Sequence, residues 1–529
     1  MKNYPLDIWS AKKEGINKSL EEYFIPASIN ELSNIFLDVE LLYSDCINDA
    51  DTEIKEILLV LYKYSALYIS EILQFHKLYT KVKQFDLLPI CSQKTLSYYS
   101  NLNNKSVSYI SKPKFYSLST KIKARAVGLK NEINSFGLFT TALNQVSDIN
   151  YLAIEWRDQK EYFEKYAESN LKRIKIIPWQ WFMPDRNLNF YKSVNIKYIT
   201  EMYKEGLISI VKKYDITINE NLINMIVHKL NESVSYINSH IIYIEKLLKG
   251  YKRSKILCQG LGSLSVRTLC VAAKRNNQEV VGFPHGNTVG IDKSSSNQLL
   301  FHMVDSFIVP TEPSIKLYKR FHKKYLTKYG LKIKLQIVPS NIYNNILTST
   351  RNISIKNNIN AAMVIEVPLH RFIFQNNNCM YYMYHLSFCI RIANSIRKTK
   401  VESILKRHPD RLDESKDVYE PYFDRVIVDS FEYTYQQCDI VIFTTLRSTA
   451  FGFCLLTNKP IIIFEHLLNN IWKEPGDLLR NRCRVVPSYV NENGQVEFDE
   501  AKFIHFLNEK PVEPNDEFIN KYMVNNIIN

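Results

Sequence analysis

The chain has 529 residues, 46% of them hydrophobic and 23% charged, and carries a formal net charge of +14. That length exceeds one ordinary domain, and the composition excludes a disordered or fibrous chain. The positive excess directs attention to anionic partners: nucleic acid, lipid headgroups or phosphorylated small molecules.

The first eighty residues predict helices, with ELSNIFLDVELLYSDC and EIKEILLVLYKYSALYISEILQFHKLY keeping apolar positions near a 3.6 period. The run from 57 to 75 is broken by Lys63 and Glu71, which predicts a buried helix rather than a membrane span. The opening MKNYPLDIWSAKKEG has no apolar stretch of signal-peptide type. Nine cysteines, with no CxxC pair and no metal-ligand spacing, read as reduced thiols and place the chain in the cytoplasm.

Between 81 and 250, strand candidates SVSYIS, YLAIEW and IKIIPW alternate with helical patterns that end in a long helical run up to Gly250. From 255 the alternation sharpens. KILCQG, EVVGFPHG, DSFIVP, KLQIVPS, AAMVIEVP, VESILKRHP, DRVIVDS, DIVIFTT and PIIIFE are short apolar strands separated by helices, one of them expected from about 378 to 399. This is the pattern of parallel, doubly wound sheets. The expected fold is α/β, with two Rossmann-like domains facing a cleft behind an N-terminal helical extension. The expected boundaries are 1–80 (helical), 81–310 (first Rossmann-like domain), 311–510 (second) and 511–529 (tail). The basic helix KLYKRFHKKYLTK, 316 to 328, offers either a solvated lysine face on a linker helix or a peripheral contact with an anionic membrane.

In open parallel sheets ligands bind outside the carboxyl ends of the strands, so those residues carry the functional reading. After VESI come Leu405, Lys406, Arg407, His408 and Pro409; after DIVIFTT come Leu446, Arg447, Ser448 and Thr449, opening a helix. Ser448 or Thr449 is an N-cap candidate, and capping alone explains either. Beside the positive helix end they also supply donors for a phosphate that Lys406 and His408 would neutralise, with Arg407 left to solvent.

Glycine is scarce, 14 in all, yet Gly260, Gly262, Gly282, Gly286 and Gly290 cluster within 31 residues. In that cluster the loop VVGFPHGNTVG presents His285 with Gly286 and Asn287. A histidine there serves as a general base near neutrality or as a phosphate donor, where an ordinary loop histidine would be polar filling. CQGLGS, 258 to 263, follows a strand and opens a helix; it lacks GxGxxG, but Gln259 and Ser263 are placed to hold an acceptor or a phosphate.

These residues together, an HG dipeptide after a strand, K-x-HP, and a Ser-Thr helix start followed by NKPIIIFE, resemble bacterial GT-B glycosyltransferases of capsule and surface polysaccharide synthesis. The resemblance covers roughly 255 to 466. It is nearest to transferases using CMP-activated ulosonic acids such as Kdo or sialic acid, and touches CDP-glycerol glycerophosphotransferases. It implies that His408 and Pro409 contact the cytidine nucleotide phosphate, that Ser448 and Thr449 hold it from the helix end, that Lys406 adds charge, and that His285 and Gly286 line the cleft. Two positions depart from it: Pro284 where glutamine usually precedes the HG, and Ala450-Phe451-Gly452 where Phe-Asp usually follows the serine pair.

The expected activity is therefore glycosyl transfer from a nucleotide sugar to a surface glycan, lipopolysaccharide or lipid-linked acceptor. His285 is the named base and Glu155 its competitor; Glu366 and Arg371 would touch the donor, and Glu465 would bind a ribose. No DxD pair ends a strand, so neither a metal nor any other cofactor is required. Polyol phosphotransfer from a CDP-glycerol-like donor, or a non-catalytic role in polysaccharide assembly, would use the same phosphate grip. Nucleic acid is not an expected partner, because no RNP, KH, helix-turn-helix or zinc pattern occurs.

Overall fold

The computed structural model describes residues 2–16, 27–91, 123, 125–126, 150–154, 166, 174–177, 179–182, 194–251, 254–259, 261–284, 291–293, 301–325, 327–338, 341–351, 358–366, 381–408, 412, 416–492 and 494–524. Of the strand and site expectations, SVSYIS, Glu155, His285, Gly286, Asn287, Arg371 and Pro409 lie outside the described residues.

The helical N-terminus is built as the periodicity predicts. Helices Ile29–Asp49, Thr52–Tyr62 and Tyr68–Gln84 begin the chain's core, the first capped by Ser28 accepting from the Glu31 N–H and the second by Asp51 accepting from the Ile54 N–H. Thr52–Tyr62 and Tyr68–Gln84 are joined by a π turn, Lys63–Leu67. A π register releases backbone carbonyls from the helical ladder. Arg267, fully buried on the later helix Leu264–Arg275, takes them, its Nε donating to Val60 O at 3.1 Å and its Nη2 to Leu59 O. Helices Lys197–Lys213 and Glu220–Leu248 pack against this group, so the extension shares one hydrophobic core with the first sheet.

A short parallel pair, β1 (Lys2–Pro5) and β2 (Leu87–Ile90), brackets these first helices, and two six-stranded, all-parallel sheets follow. The first is ordered β4 (Ile174–Ile177), β3 (Tyr151–Ile154), β5 (Lys255–Cys258), β6 (Val280–Gly282), β7 (Ser306–Val309), β8 (Lys334–Ile337). The second is ordered β11 (Arg425–Ile427), β10 (Glu402–Lys406), β9 (Ala361–Ile365), β12 (Ile440–Phe443), β13 (Ile461–Phe464), β14 (Arg484–Val486). β9, β12 and β13 are buried along their whole length, which is why they read as unbroken apolar runs.

Two expectations are corrected. KLQI forms β8, the edge of the first sheet paired with β7, so the division between sheets falls beyond 338 rather than at 310. The expected tail contains the helix Glu517–Tyr522, whose Phe518, Ile519 and Tyr522 are buried, with Thr311 Oγ1 donating to Lys521 O at 2.7 Å. The basic helix Glu312–Tyr325 turns Leu317, Tyr318 and Phe321 into the protein, where Tyr318 and Phe321 meet Phe301, and leaves Lys316, Lys319 and Arg320 exposed. Among the described residues no helix is long and apolar enough to cross a membrane.

Candidate functional site

Numbered from β9, the second sheet runs 3-2-1-4-5-6, the order of dinucleotide-binding sheets. Its strand order reverses between β9 and β12. The carboxyl ends of β9, β10 and β12 converge there.

Glu366, the first residue after β9, organises the neighbouring bend. Its N–H donates to Lys406 O at 2.9 Å and its Oε2 accepts the His408 N–H at 2.9 Å. The carboxylate is 3% exposed and also lies 4.0 Å from Arg407 Nε. Glu366 thus shapes the Lys406–His408 turn instead of presenting itself to a donor, which differs from its expected role.

Arg407 is the opposite of solvated. Its backbone continues the pairing with β11, donating to Ile427 O at 2.8 Å, and this carries the side chain to the face opposite Lys406. There it is 6% exposed and pairs with Glu420 Oε1 at 3.1 Å, with Leu412 O accepting a further bond. On the helix Tyr381–Ile396, which packs against β10, His385 is fully buried and held by that burial well below the usual histidine range, at about 3.

Lys406 is 5% exposed, its ammonium bonded to the Arg407 carbonyl. Burial pulls its pKa below the ordinary lysine range, and the carboxylates of Glu432, Glu366 and Asp429 oppose that pull. His408 is only partly buried, at the mouth of the bend.

After β12, Thr444 Oγ1 donates to Ile365 O at 3.1 Å, tying the two strand ends together. Ser448 caps the helix Thr449–Leu456, its Oγ accepting the Phe451 N–H at 3.1 Å, and Thr449 is exposed. The serine proton stays available for donation, and the N–H groups of the first turn have no intrahelical acceptor. At the far end of that helix, buried Arg482 donates to the carbonyls of Cys454, Leu455, Thr457 and Lys459. The cation satisfies the negative terminus and leaves the positive one facing the crevice.

The first half of the chain reaches this place directly. Residues 291–293, just past the glycine-rich loop, dock on the second half. Trp472 N donates to Ile291 O at 3.0 Å, Lys293 N donates to Asn470 O at 2.6 Å, and Asp292 bridges Ile471. Asp292, 3% exposed, pairs with Arg447 Nε at 3.0 Å, one residue before Ser448. Asp292, Glu420, Glu432 and Asp429 went unnoticed in the sequence, and Arg447 was given no role there. Arg447 alone carried a local signal, as a cation directly ahead of the helix start.

The remaining expected residues stand apart. Glu465, after β13, is half exposed and paired with Arg480. Its neighbour His466 is buried, with Nδ1 2.8 Å from Ser488 Oγ, and burial pushes its pKa down to about 4. Gln259 and Ser263 lie at the carboxyl end of β5, in the first sheet. Among the described residues no cluster of His, Cys, Asp and Glu is arranged to hold a metal.

No protein-family model and no curated protein matches the sequence. Among solved structures the chain is similar to Anabaena HepE, crystallised in complex with UDP and glucose, at 12% sequence identity with a TM-score of 0.33, over 68% of this chain and 89% of that one.

Proposed function

We propose that the protein is a GT-B glycosyltransferase that moves a sugar from a nucleotide-activated donor, CMP-linked and of the ulosonic acid class, to a glycan or lipid-linked acceptor. One observation carries the reading: the His408 bend and the Ser448–Thr449 helix start follow β10 and β12, the two strands that flank β9 at the reversal point of a 3-2-1-4-5-6 sheet, with Lys406, Arg407 and Arg447 beside them. A leaving nucleotide phosphate gains charge as the glycosidic bond breaks, and donors fixed in advance stabilise that charge without reorganising.

In this reading His408, the Ser448 hydroxyl, Thr449 and the first-turn N–H groups grip the phosphate, with Pro409 fixing the turn. Lys406 contributes from behind, and Glu366 and Arg407 hold the bend in shape. Glu465 and Arg371 remain proposed donor contacts. His285, a few residues ahead of the docked segment 291–293, is the proposed base for the acceptor hydroxyl, with Gly286 and Asn287 lining the cleft. The chemistry requires no metal.

The test is thermal stabilisation by CMP, CDP, UDP and GDP in parallel, each repeated with His408→Ala. Saturation a hundredfold above Kd stabilises by about 2.7 kcal/mol. A shift with CMP, lost in the variant, supports the reading. A shift with UDP or GDP alone overturns the CMP assignment and keeps a nucleotide-sugar enzyme. No shift with any nucleotide overturns the transferase reading in favour of an assembly role. Product analysis with a shifted nucleotide's sugar or glycerol derivative separates glycosyl from polyol-phosphate transfer.

A further inference from the structure

A buried carboxylate sits where an anion-binding crevice has least use for one. Asp292 is 3% exposed and lies 3.0 Å from Arg447 Nε, and Arg447 directly precedes the N-cap Ser448. Negative charge suits a helix N-terminus, but a fixed negative charge there opposes the arrival of a second.

Holding the two halves together does not account for it. The segment 291–293 is already seated by its backbone, with Trp472 N donating to Ile291 O at 3.0 Å and Lys293 N to Asn470 O at 2.6 Å. Lys293 Nζ adds a bond to Asn469 O at 3.2 Å. The ion pair is additional to that docking.

Arg447 is suited to two partners. A guanidinium carries five N–H donors in a planar fork that matches carboxylate and phosphate alike, and the bond to Asp292 engages Nε. The backbone beneath it is fixed, since Arg447 N donates to Thr445 Oγ1 at 3.3 Å and Ser448 caps the following helix. The side chain is what can turn. It is also the exposed member of the pair, at 19% against 4% for Asp292. Lys406 and Arg407, the other cations beside the reversal point, are only 5% and 6% exposed. A phosphate arriving from solvent therefore meets Arg447 before it meets either of them, or the carboxylate behind.

We propose that the Asp292 carboxylate and the phosphate of the donor compete for Arg447. Arg447 follows the charge that grows on the leaving phosphate, and Asp292 takes the guanidinium back as the nucleotide departs. Asp292 is thus a positioning residue, supplied by the first half of the chain to the crevice of the second, that weakens nucleotide binding and speeds release. The inference deepens the transferase reading above and rests on it.

Calorimetric titration of the full chain with CMP, CDP, UDP, GDP and inorganic pyrophosphate tests it. Wild type is compared with Asp292→Asn, Arg447→Gln and the double variant; asparagine keeps the shape and an acceptor for Nε while removing the charge. The Tm of each protein without ligand shows that it folds. The expected result is that Asp292→Asn lowers Tm yet binds nucleotide about tenfold more tightly, because one opposing charge has left the site. Arg447→Gln binds it about tenfold more weakly, and in that background the gain from Asp292→Asn disappears. A pair with a structural role only gives the opposite sign, affinity falling with stability. That outcome, unchanged affinity in Asp292→Asn, or a gain that persists without Arg447 overturns the proposal. If Asp292→Asn does not fold, Arg447→Gln still decides, since wild-type affinity there overturns it. Tighter pyrophosphate binding by Asp292→Asn where no nucleotide binds keeps the competition and overturns the transferase reading; no anion bound by any of these proteins overturns both.

Discussion

The carboxyl edges of the two sheets solve different problems with the same architecture. That of the second sheet gathers Glu366, Arg407, Glu420 and Arg447, with Asp292 reaching in from the first half, into ion pairs beside the buried Lys406. That of the first sheet, around Gln259, Gly262 and Ser263, is neutral and keeps one oxygen unpaired. Buried charges are tolerated only where partners fix them, which is why the charged edge is laced with ion pairs and the neutral one needs none.

The largest break in that comparison is His408→Ala. Loss of one preset phosphate donor lowers turnover by about 10²–10³-fold. The fold should survive, because the His408 backbone N–H, which ties the turn to Glu366, is kept in the variant. Steady-state transfer from the nucleotide sugar identified by thermal shift checks this, and wild-type turnover in the variant would remove His408 from the site.

Glu366→Gln comes next. Removing one partner of a buried ionic cluster should cost about 3 kcal/mol, which urea unfolding checks, and it should also weaken nucleotide binding by loosening the His408 turn. Gln259→Leu, at the equivalent edge of the first sheet, deletes an unpaired acceptor together with the Nε2 donor to Pro284 O, so relief and loss offset and the net cost should stay near ~1 kcal/mol. Equal losses in the two variants would erase the distinction between the edges.

Much of the fold was legible in the residues alone, and the reasons are specific. β12 and β13 announced themselves because both faces are buried, and the residues after β10 and β12 stood out as polar stops to apolar runs. β8 was visible as a strand, but its sheet was not: KLQI is a half-exposed edge, and nothing local says which sheet an edge strand joins. Arg407 breaks the expectation of solvation for a simple reason, since period-two alternation puts it on the opposite face from Lys406. Asp292–Arg447 could not be read at all, because that pair exists only once the two halves dock.

Acidification sharpens the comparison in a different way. His385 and His466 both belong to the second half, and burial holds them down to about 3 and about 4. Unfolded, each takes a proton near pH 6.5, so between that pH and the folded value the unfolded chain binds more protons. Their contribution is whole above about pH 6.5 and is lost as pH falls, at up to about 1.4 kcal/mol per unit for each histidine. Unfolding free energies at pH 7 and pH 5 for wild type and His466→Phe should show a shallower dependence in the variant; parallel slopes would mean that His466 is protonated in the folded protein.

The smallest effect is the most discriminating for the phosphate grip. Ser448→Ala removes the bond to the Phe451 N–H and costs about 1 kcal/mol, whereas Ser448→Gly costs only a few tenths, because glycine is a fair N-cap without a side chain. If capping is the whole role of Ser448, nucleotide affinity should follow stability, falling in the alanine variant and holding in the glycine one. If the serine proton also meets a phosphate oxygen, both variants lose affinity alike while only one loses stability. Thermal unfolding with and without nucleotide separates the two, and it does so without altering a single charge at the edge.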